Sequence, residues 1–299
     1  MTAPDLTQID ASRHLLIAGP TASGKSALAL AVAQAQGGLV VNADALQVWS
    51  CWHVLTARPT PEDEAAAPHA LYGHVPAGQP YSVGEWLREV AALTGQRLII
   101  AGGTGLYLTA LTRGLAEIPP TPPALRATAD GRLAEPGGLG ALVAELDERT
   151  RSRIDLHNPA RVQRAWEVLQ ATGRGIADWQ ADTPPPLIAE RDCQRVLITT
   201  DRDWLADRIA RRFHMMLDKG ALDEARTMLP AWDPAQQWAK AIGAPELIAH
   251  LHGHLTLPEA TERAIIASRQ YAKSQRIWFR GRMKDWTVWQ AGHFGLRPA

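Results

Sequence analysis

His14-Leu15-Leu16-Ile17-Ala18-Gly19-Pro20-Thr21-Ala22-Ser23-Gly24-Lys25-Ser26 decides the reading of this chain. An apolar run of strand length leads into Gly19 to Ser26, which fits G-x-x-x-x-G-K-[ST]. The alanine-rich stretch Ala27 to Gln34 then reads as a helix. Strand, glycine loop and helix start together make a phosphate site. The glycines let successive backbone N–H groups turn inward on an anion, and the helix N-terminus adds its positive dipole end. In such a loop Lys25 reaches the outer phosphate oxygens and Ser26 offers a hydroxyl to Mg²⁺. A bare glycine turn would not need the lysine and serine at this spacing, but the loop does not say which phosphate compound it holds.

Working outward, composition narrows the class. The chain has 299 residues, 46% hydrophobic and 21% charged, with a formal net charge of zero, which fits a globular protein of one large core or two domains and excludes a uniformly basic nucleic-acid coat. Met1 to Arg13 contains Asp5 and Asp10 and no apolar run, and nowhere do about eighteen apolar residues stand together. No leader and no membrane association are expected, and the cytoplasm is the default location. Cys51 and Cys193 stand alone, in no ligand-like spacing, and read as inert thiols.

Strand and helix patterns alternate through the first part of the chain, the signature of a parallel sheet covered on both faces. Leu39-Val40-Val41 begins a second strand that delivers Asn42-Ala43-Asp44-Ala45-Leu46-Gln47. Arg97 to Ala101 is a third, ending in Gly102-Gly103-Thr104-Gly105. In open α/β sheets ligands bind beyond the carboxyl ends of strands, so these three ends should converge. Pro119, Pro120, Pro122 and Pro123 then break the chain, and the pattern to about Gln180 is helical. Arg195 to Thr199 reads as a return strand after Pro184-Pro185-Pro186. The expected architecture is α/β, a P-loop NTPase-like core with a parallel sheet flanked by helices, plus an inserted all-α domain: residues 1–120 and 191–299 for the core, 121–190 for the insertion.

The last long helix is expected from Pro258 to about Arg282, with Ala267, Tyr271, Ser274 and Trp278 on its packing face. Arg269, Lys273, Arg276 and Arg280 form a basic stripe roughly opposite. No acidic residue occurs between Arg263 and Lys284. A solvated face explains such a stripe; contact with a nucleic-acid backbone is the sharper reading. A second basic cluster, Arg149, Arg151, Arg153, Arg161 and Arg164, favours the latter, since two patches could grip one RNA.

These motifs together resemble the bacterial tRNA dimethylallyltransferases, also called tRNA isopentenyltransferases. The resemblance is carried by Gly19–Ser26, Asp44-Ala45-Leu46-Gln47-Val48-Trp49, Thr56-Ala57-Arg58-Pro59-Thr60, Pro68-His69, Gly102 to Tyr107, Asn158 to Ala165 and Ser268 to Lys273. The motifs stand in the family's order, from about residue 14 to 286. The resemblance implies transfer of a dimethylallyl group from dimethylallyl diphosphate to N6 of adenosine 37, beside the anticodon of tRNAs reading codons that begin with U. The loop (Gly19, Pro20, Thr21, Ala22, Ser23, Gly24, Lys25, Ser26) would then hold an isoprenoid diphosphate with Mg²⁺ at Ser26, and Arg212 would clamp the diphosphate from the other side.

By the same resemblance Asp44 is the general base and Thr104 stands near the reaction centre. An exocyclic amine is a poor nucleophile, so a carboxylate that accepts its proton suits the reaction; ordering of Mg²⁺-bound water is the alternative role for Asp44, and a turn cap the alternative for Thr104. Contacts to the tRNA anticodon stem-loop carry over to Asp44, Ala45, Leu46, Gln47, Thr104, Arg126, Ala160, Arg161, Val162, Gln163, Arg164, Lys240, Ala241, Ile242, Gly243, Lys273, Ser274, Gln275, Arg276 and Arg280. A monomer is expected.

The chain departs from the family pattern at Ala45 (commonly Ser), Trp49 (often Tyr), Ala70 (often His), Ala244-Pro245 (commonly a polar run) and Ser274 (commonly basic), which puts contacts to the tRNA in doubt while leaving Lys25, Asp44, Thr104 and Arg212 in place. Three alternatives stay open. A small-molecule kinase would share the loop but not need the basic stripe. A non-catalytic RNA-binding protein would not need the loop. An adenylate isopentenyltransferase would lack the matches at Ala160–Arg164 and Arg269–Lys273. Eleven tryptophans against three phenylalanines have no account at this level.

Overall fold

The computed structural model describes residues 6–291; residues 1–5, part of the stretch in which no leader is expected, and 292–299 lie outside it. The described chain divides into two compact units, one formed by the residues up to Thr112 and from Ile188 onward, the other by Arg113–Leu187. The second unit thus begins before the expected residue 121 and ends before 190.

In the first unit the chain runs β1 (His14–Ala18), α1 (Lys25–Gln36), β2 (Leu39–Asn42), α2 (Pro61–Ala66), β3 (His69–Ala70), α3 (Val83–Leu93), β4 (Leu98–Gly102) and α4 (Gly105–Arg113). The second unit follows with α5 (Pro123–Ala134), α6 (Gly138–Ala144), α7 (Glu148–Arg151), α8 (Pro159–Thr172) and α9 (Ile176–Ala181). The first then resumes with β5 (Cys193–Thr199), α10 (Arg202–Asp218), α11 (Ala221–Met228), α12 (Ala244–Leu251), α13 (Leu257–Arg282) and β6 (Thr287–Gln290).

The six strands form one parallel sheet in the order β3-β2-β4-β1-β5-β6. Strand β1 lies between β4 and β5, with Ala18 level with Gly102 and Leu197, while Asn42 of β2 is level with Ala101. Four apolar strands buried on both faces explain the unbroken runs of Leu, Ile and Val. This register brings the ends of β1, β2 and β4 side by side.

Two strands escape the sequence reading. Strand β3 is two residues long, and β6 is an edge strand on which only Trp289 is buried. Helix α13 begins at a capping box, with the Thr256 hydroxyl accepting the Glu259 N–H and Glu259 accepting that of Thr256. Its buried face differs from the expected one. Ala260, Thr261, Ala264, Ala272, Gln275 and Phe279 point inward, whereas Ser274 is exposed and Ala267, Tyr271 and Trp278 are half-buried. Small alanines let α10 and α12 pack close to α13, and a glutamine takes an inward position that a hydrophobicity pattern assigns to the surface.

The tryptophans acquire a structural account. Trp52 and Trp86 are wholly buried, and their indole N–H groups donate to the carbonyls of Trp238 (2.8 Å) and Asn42 (2.7 Å). Each contributes large apolar area and satisfies a distant backbone carbonyl. The second unit has its own core around Leu142, Leu146, Val162, Ala165 and Trp166. No helix among the described residues is long and apolar enough to cross a membrane.

Candidate active site

The loop after β1 has the backbone its glycines allow. Gly24 caps α1 with φ +94°, and a Cβ on Gly19 would stand 2.8 Å from Ser23 Oγ and 3.1 Å from the Ile198 carbonyl. Ala22 takes φ +60°, left-handed for an L residue, so this loop carries strain at a ligand site. Lys25 Nζ donates to the Pro20 carbonyl at 2.8 Å. Burial pushes its ammonium down to about 8; the Asp44 carboxylate opposes this and Arg212 adds to it. Ser26 is exposed on the first turn of α1.

Asp44 is held at the end of β2 by its fully buried neighbour Asn42. Asn42 Oδ1 accepts the Asp44 N–H (2.8 Å), and Asn42 Nδ2 donates to the carbonyls of Asp44 (3.0 Å) and Leu71 (2.9 Å). One Asp44 carboxylate oxygen accepts the Leu46 N–H (3.0 Å). Thr104 joins this loop to β4: its hydroxyl accepts the Ala45 N–H (2.9 Å) and its own N–H donates to the Ala43 carbonyl (3.2 Å). The glycines around it are dictated by close approach, since a Cβ on Gly102 would fall 2.0 Å from the Ala43 carbonyl oxygen and one on Gly105 2.0 Å from Trp278 Nε1. Burial and the Asp44 charge hold the Tyr271 hydroxyl above its ordinary range, with Thr104 and Gln275 as its hydrogen-bonding neighbours.

A cavity opens where these ends meet. Its lining mixes polar and charged groups, among them Thr21, Lys25, Ser26, Asp44, Gln47, Thr56, Arg212 and Tyr271, with the apolar Leu46, Leu55, Ile209, Phe213, Met216 and Ile242. Arg212, on α10, makes no ion pair among the described residues; burial lowers its pKa and the Asp44 charge opposes that shift. Two cations therefore meet one carboxylate, an arrangement that favours an anion with more than one charge.

A family model for IPP transferase matches residues 47–282, and one for isopentenyl transferase matches residues 12–67. A tRNA dimethylallyltransferase of Paracoccus denitrificans is 67% identical over 290 residues, covering 95% of this chain and 96% of that one. This chain belongs to the IPP transferase family. Among solved structures, a full-length tRNA isopentenylpyrophosphate transferase from Bacillus halodurans is 29% identical with a TM-score of 0.65, covering 94% of this chain and 90% of that one. A eukaryotic dimethylallyltransferase acting on tRNA shares the fold, with a TM-score of 0.79 at 24% identity over 93% of this chain and 73% of that one.

Placed on this IPP transferase fold, the residues singled out in the sequence divide into three groups. Thr21, Ala22, Lys25 and Ser26 of the loop meet Asp44 and Arg212 at the cavity, where Leu46 and Gln47 also stand. Thr104 is half-buried beside the lining residue Tyr271, and its hydroxyl accepts the Ala45 N–H. The third group comprises the remaining expected RNA contacts, some of which the fold uses internally while others stay exposed. Val162 and Ala241 are fully buried, Gly243 (φ +94°) packs on Phe213, and Ile242 lines the cavity. The Gln47 amide donates to the carbonyls of Thr56 and Ala57, both at 2.9 Å. Gln275 is also inward, its amide bonded to Thr21 and Gly103. Within the second unit, the buried Glu167 engages Arg164 (3.9 Å) and Gln163 (3.1 Å) and is reached by Arg126 (3.5 Å), which stays exposed along with Ala160 and Arg161. Lys240, Lys273, Ser274 and Arg280 are exposed and Arg276 half-buried.

Sequence reasoning missed Glu224 of α11. Its carboxylate accepts the N–H groups of His53 (2.6 Å), Val54 (2.8 Å) and Leu55 (3.0 Å), fixing the turn that puts Leu55 and Thr56 on the cavity wall. No local motif announces it. Cys51 and Cys193 are free thiols, both pushed up by burial, Cys51 to about 11, which fits inert groups.

Among the described residues, no cluster of three or more His, Cys, Asp and Glu could hold a metal ion. The accessible Ser26 hydroxyl beside a polyanion site instead fits Mg²⁺, which binds through few protein oxygens together with substrate phosphates and water.

Proposed function

We infer that this protein transfers a dimethylallyl group from dimethylallyl diphosphate to N6 of adenosine 37 in tRNAs reading codons that begin with U. The observation that carries the substrate reading is the mixed lining of one cavity, where Lys25 and Arg212 stand with Leu46, Leu55, Ile209, Phe213, Met216 and Ile242. A diphosphate with a five-carbon tail matches both kinds of lining. The apolar groups fit a small hydrocarbon better than a sugar.

In this reading the bond between N6 and the allylic carbon forms as the carbon–oxygen bond to diphosphate breaks, and the electron pair leaves with the diphosphate. Lys25 and the loop N–H groups hold that diphosphate on one side and Arg212 on the other, stabilising charge as it develops. Ser26 would hold Mg²⁺ together with diphosphate oxygens, and the ion supplies further neutralisation of the leaving group when bound. Asp44 accepts the N6 proton; Asn42 and the Leu46 N–H keep its carboxylate aimed while one oxygen stays available. Thr104 positions this loop through Ala45. The target base must leave its stack to reach the cavity, which is easiest in a loop where it has no pairing partner.

The anticodon stem-loop is assigned to the exposed cations of α13 and to Arg161 of the second unit. A monomer in the cytoplasm completes the proposal. The test is incubation with Mg²⁺ and labelled dimethylallyl diphosphate, offering an anticodon stem-loop with adenosine 37, the same loop with that base replaced, and AMP. Label on the first alone is expected. Label on AMP would move the protein to cytokinin-type chemistry, and no transfer to any acceptor would return the loop to a kinase reading.

A further inference from the structure

We propose that Gln275 is a positioning residue that couples RNA held on α13 to the diphosphate held by the phosphate loop. Gln275 is 5% exposed, and both ends of its amide are engaged. Its Oε1 accepts the N–H of Thr21 (2.8 Å) and its Nε2 donates to the carbonyl of Gly103 (3.0 Å). Thr21 belongs to the phosphate loop and lines the cavity; Gly103 immediately precedes Thr104, which pins the Asp44 loop. One side chain of α13 therefore braces two of the three strand ends that build the site.

The space for it is built in. A Cβ on Gly103 would stand 2.2 Å from Gln275 Nε2, so this glycine admits the amide. The Thr21 N–H, once taken by Gln275, is withdrawn from the anion, and its bond sets the shape of the loop rather than binding the ligand.

The outer side of the same helical turns carries the cations. Lys273, Arg276 and Arg280 line a groove with Arg202 and Lys284. RNA phosphates gripping these groups fix the height and rotation of α13, and Gln275 passes that constraint inward to Thr21 and Gly103. A loop already held by the braced helix has less freedom to lose when diphosphate enters, which makes the two ligands mutually reinforcing, and linkage makes the effect reciprocal. The inference rests on the assignment of tRNA to the α13 stripe.

The experiment is calorimetric titration of Mg²⁺-pyrophosphate into the full chain with and without the anticodon stem-loop, repeated with Gln275→Leu and Gln275→Glu. RNA is expected to tighten pyrophosphate about 5-fold or more in the unaltered protein. In Gln275→Leu, which loses both backbone bonds and the contact with the Tyr271 hydroxyl, the factor should fall to about 1 while RNA affinity changes by less than about 2-fold. Gln275→Glu keeps the acceptor for Thr21 and loses the donor to Gly103, so it should retain an intermediate factor. It also tests the idea if the leucine variant does not fold. Full coupling in either variant, or none in the unaltered protein, would overturn the proposal. RNA binding that survives Lys273→Ala with Arg280→Ala would instead overturn the placement of RNA on α13.

Discussion

Replacing Lys25 by methionine should stabilise the ligand-free protein at neutral pH while abolishing its use of diphosphate. Burial brings the ammonium from 10.5 down to about 8. At about 1.4 kcal/mol per pH unit, carrying the charge at pH 7 costs the folded state on the order of 3 kcal/mol, an upper figure because solvent reaches the cavity. The sign follows from proton counts. Below pH 8 both states are protonated and the full cost is present. Between about 8 and 10.5 the unfolded chain holds the proton and the folded one has released it, so stability rises with pH. Above 10.5 the cost is gone.

Methionine of similar length carries no charge, so Lys25→Met should be more stable at pH 7 by roughly 2–3 kcal/mol, with the advantage shrinking as pH climbs through 8 to 10.5. Urea unfolding of both proteins at pH 7, 8, 9 and 10, with equal m values, reads this directly. Saturating Mg²⁺-pyrophosphate should reverse the order, because the anion stabilises the lysine form by mass action and leaves the methionine form unmoved. A difference that stays constant with pH, or a less stable Lys25→Met protein without ligand, would refute the view that desolvation of this ammonium outweighs its bond to Pro20 and the Asp44 charge until an anion binds.

Asp44→Ala should lower kcat by about 10²–10⁴-fold at saturating RNA while leaving stem-loop affinity nearly unchanged, since its role lies in proton transfer; lost binding with surviving turnover would make it a docking residue. Lys273→Ala with Arg276→Ala should reduce the slope of log affinity against log salt by about 1.4–1.8, measured by fluorescence anisotropy, and an unchanged slope would place the stripe in solvent alone. Glu224→Ala leaves the N–H groups of His53, Val54 and Leu55 without their acceptor, so it should cost about 3 kcal/mol in urea unfolding and raise KM for dimethylallyl diphosphate more than it lowers kcat.

The chemistry of the site was legible wherever it is written in contiguous residues. Gly19 to Ser26 contains its own strand exit, anion cradle and helix start, so local backbone rules and one lysine announce a phosphate site. Val40, Ile99 and Ile100 show their burial as unbroken apolar runs, which places Asp44 and Gly103 at strand ends. The extent of α13 was legible as a helical pattern from Pro258 to about Arg282, although its period did not give the buried face. Its basic stripe is visible in the same pattern.

What depended on the tertiary structure are pairings that no spacing encodes. Thr21 meets Gln275 across 254 positions, and His53 meets Glu224 across 171. Gln275 is polar, and only the close approach of α13 to Gly103 turns it from a surface residue into a brace. Arg164 reads as a free cation until α8 sets it beside the buried Glu167, which Arg126 also reaches while staying exposed. Ile242, expected to touch RNA, lines the cavity instead, because the turn that carries it faces the gap between elements. Sequence determines what each segment can do locally. The fold decides which polar groups are left over for substrate, because a buried hydrogen bond made inside the protein removes that group from service outside it.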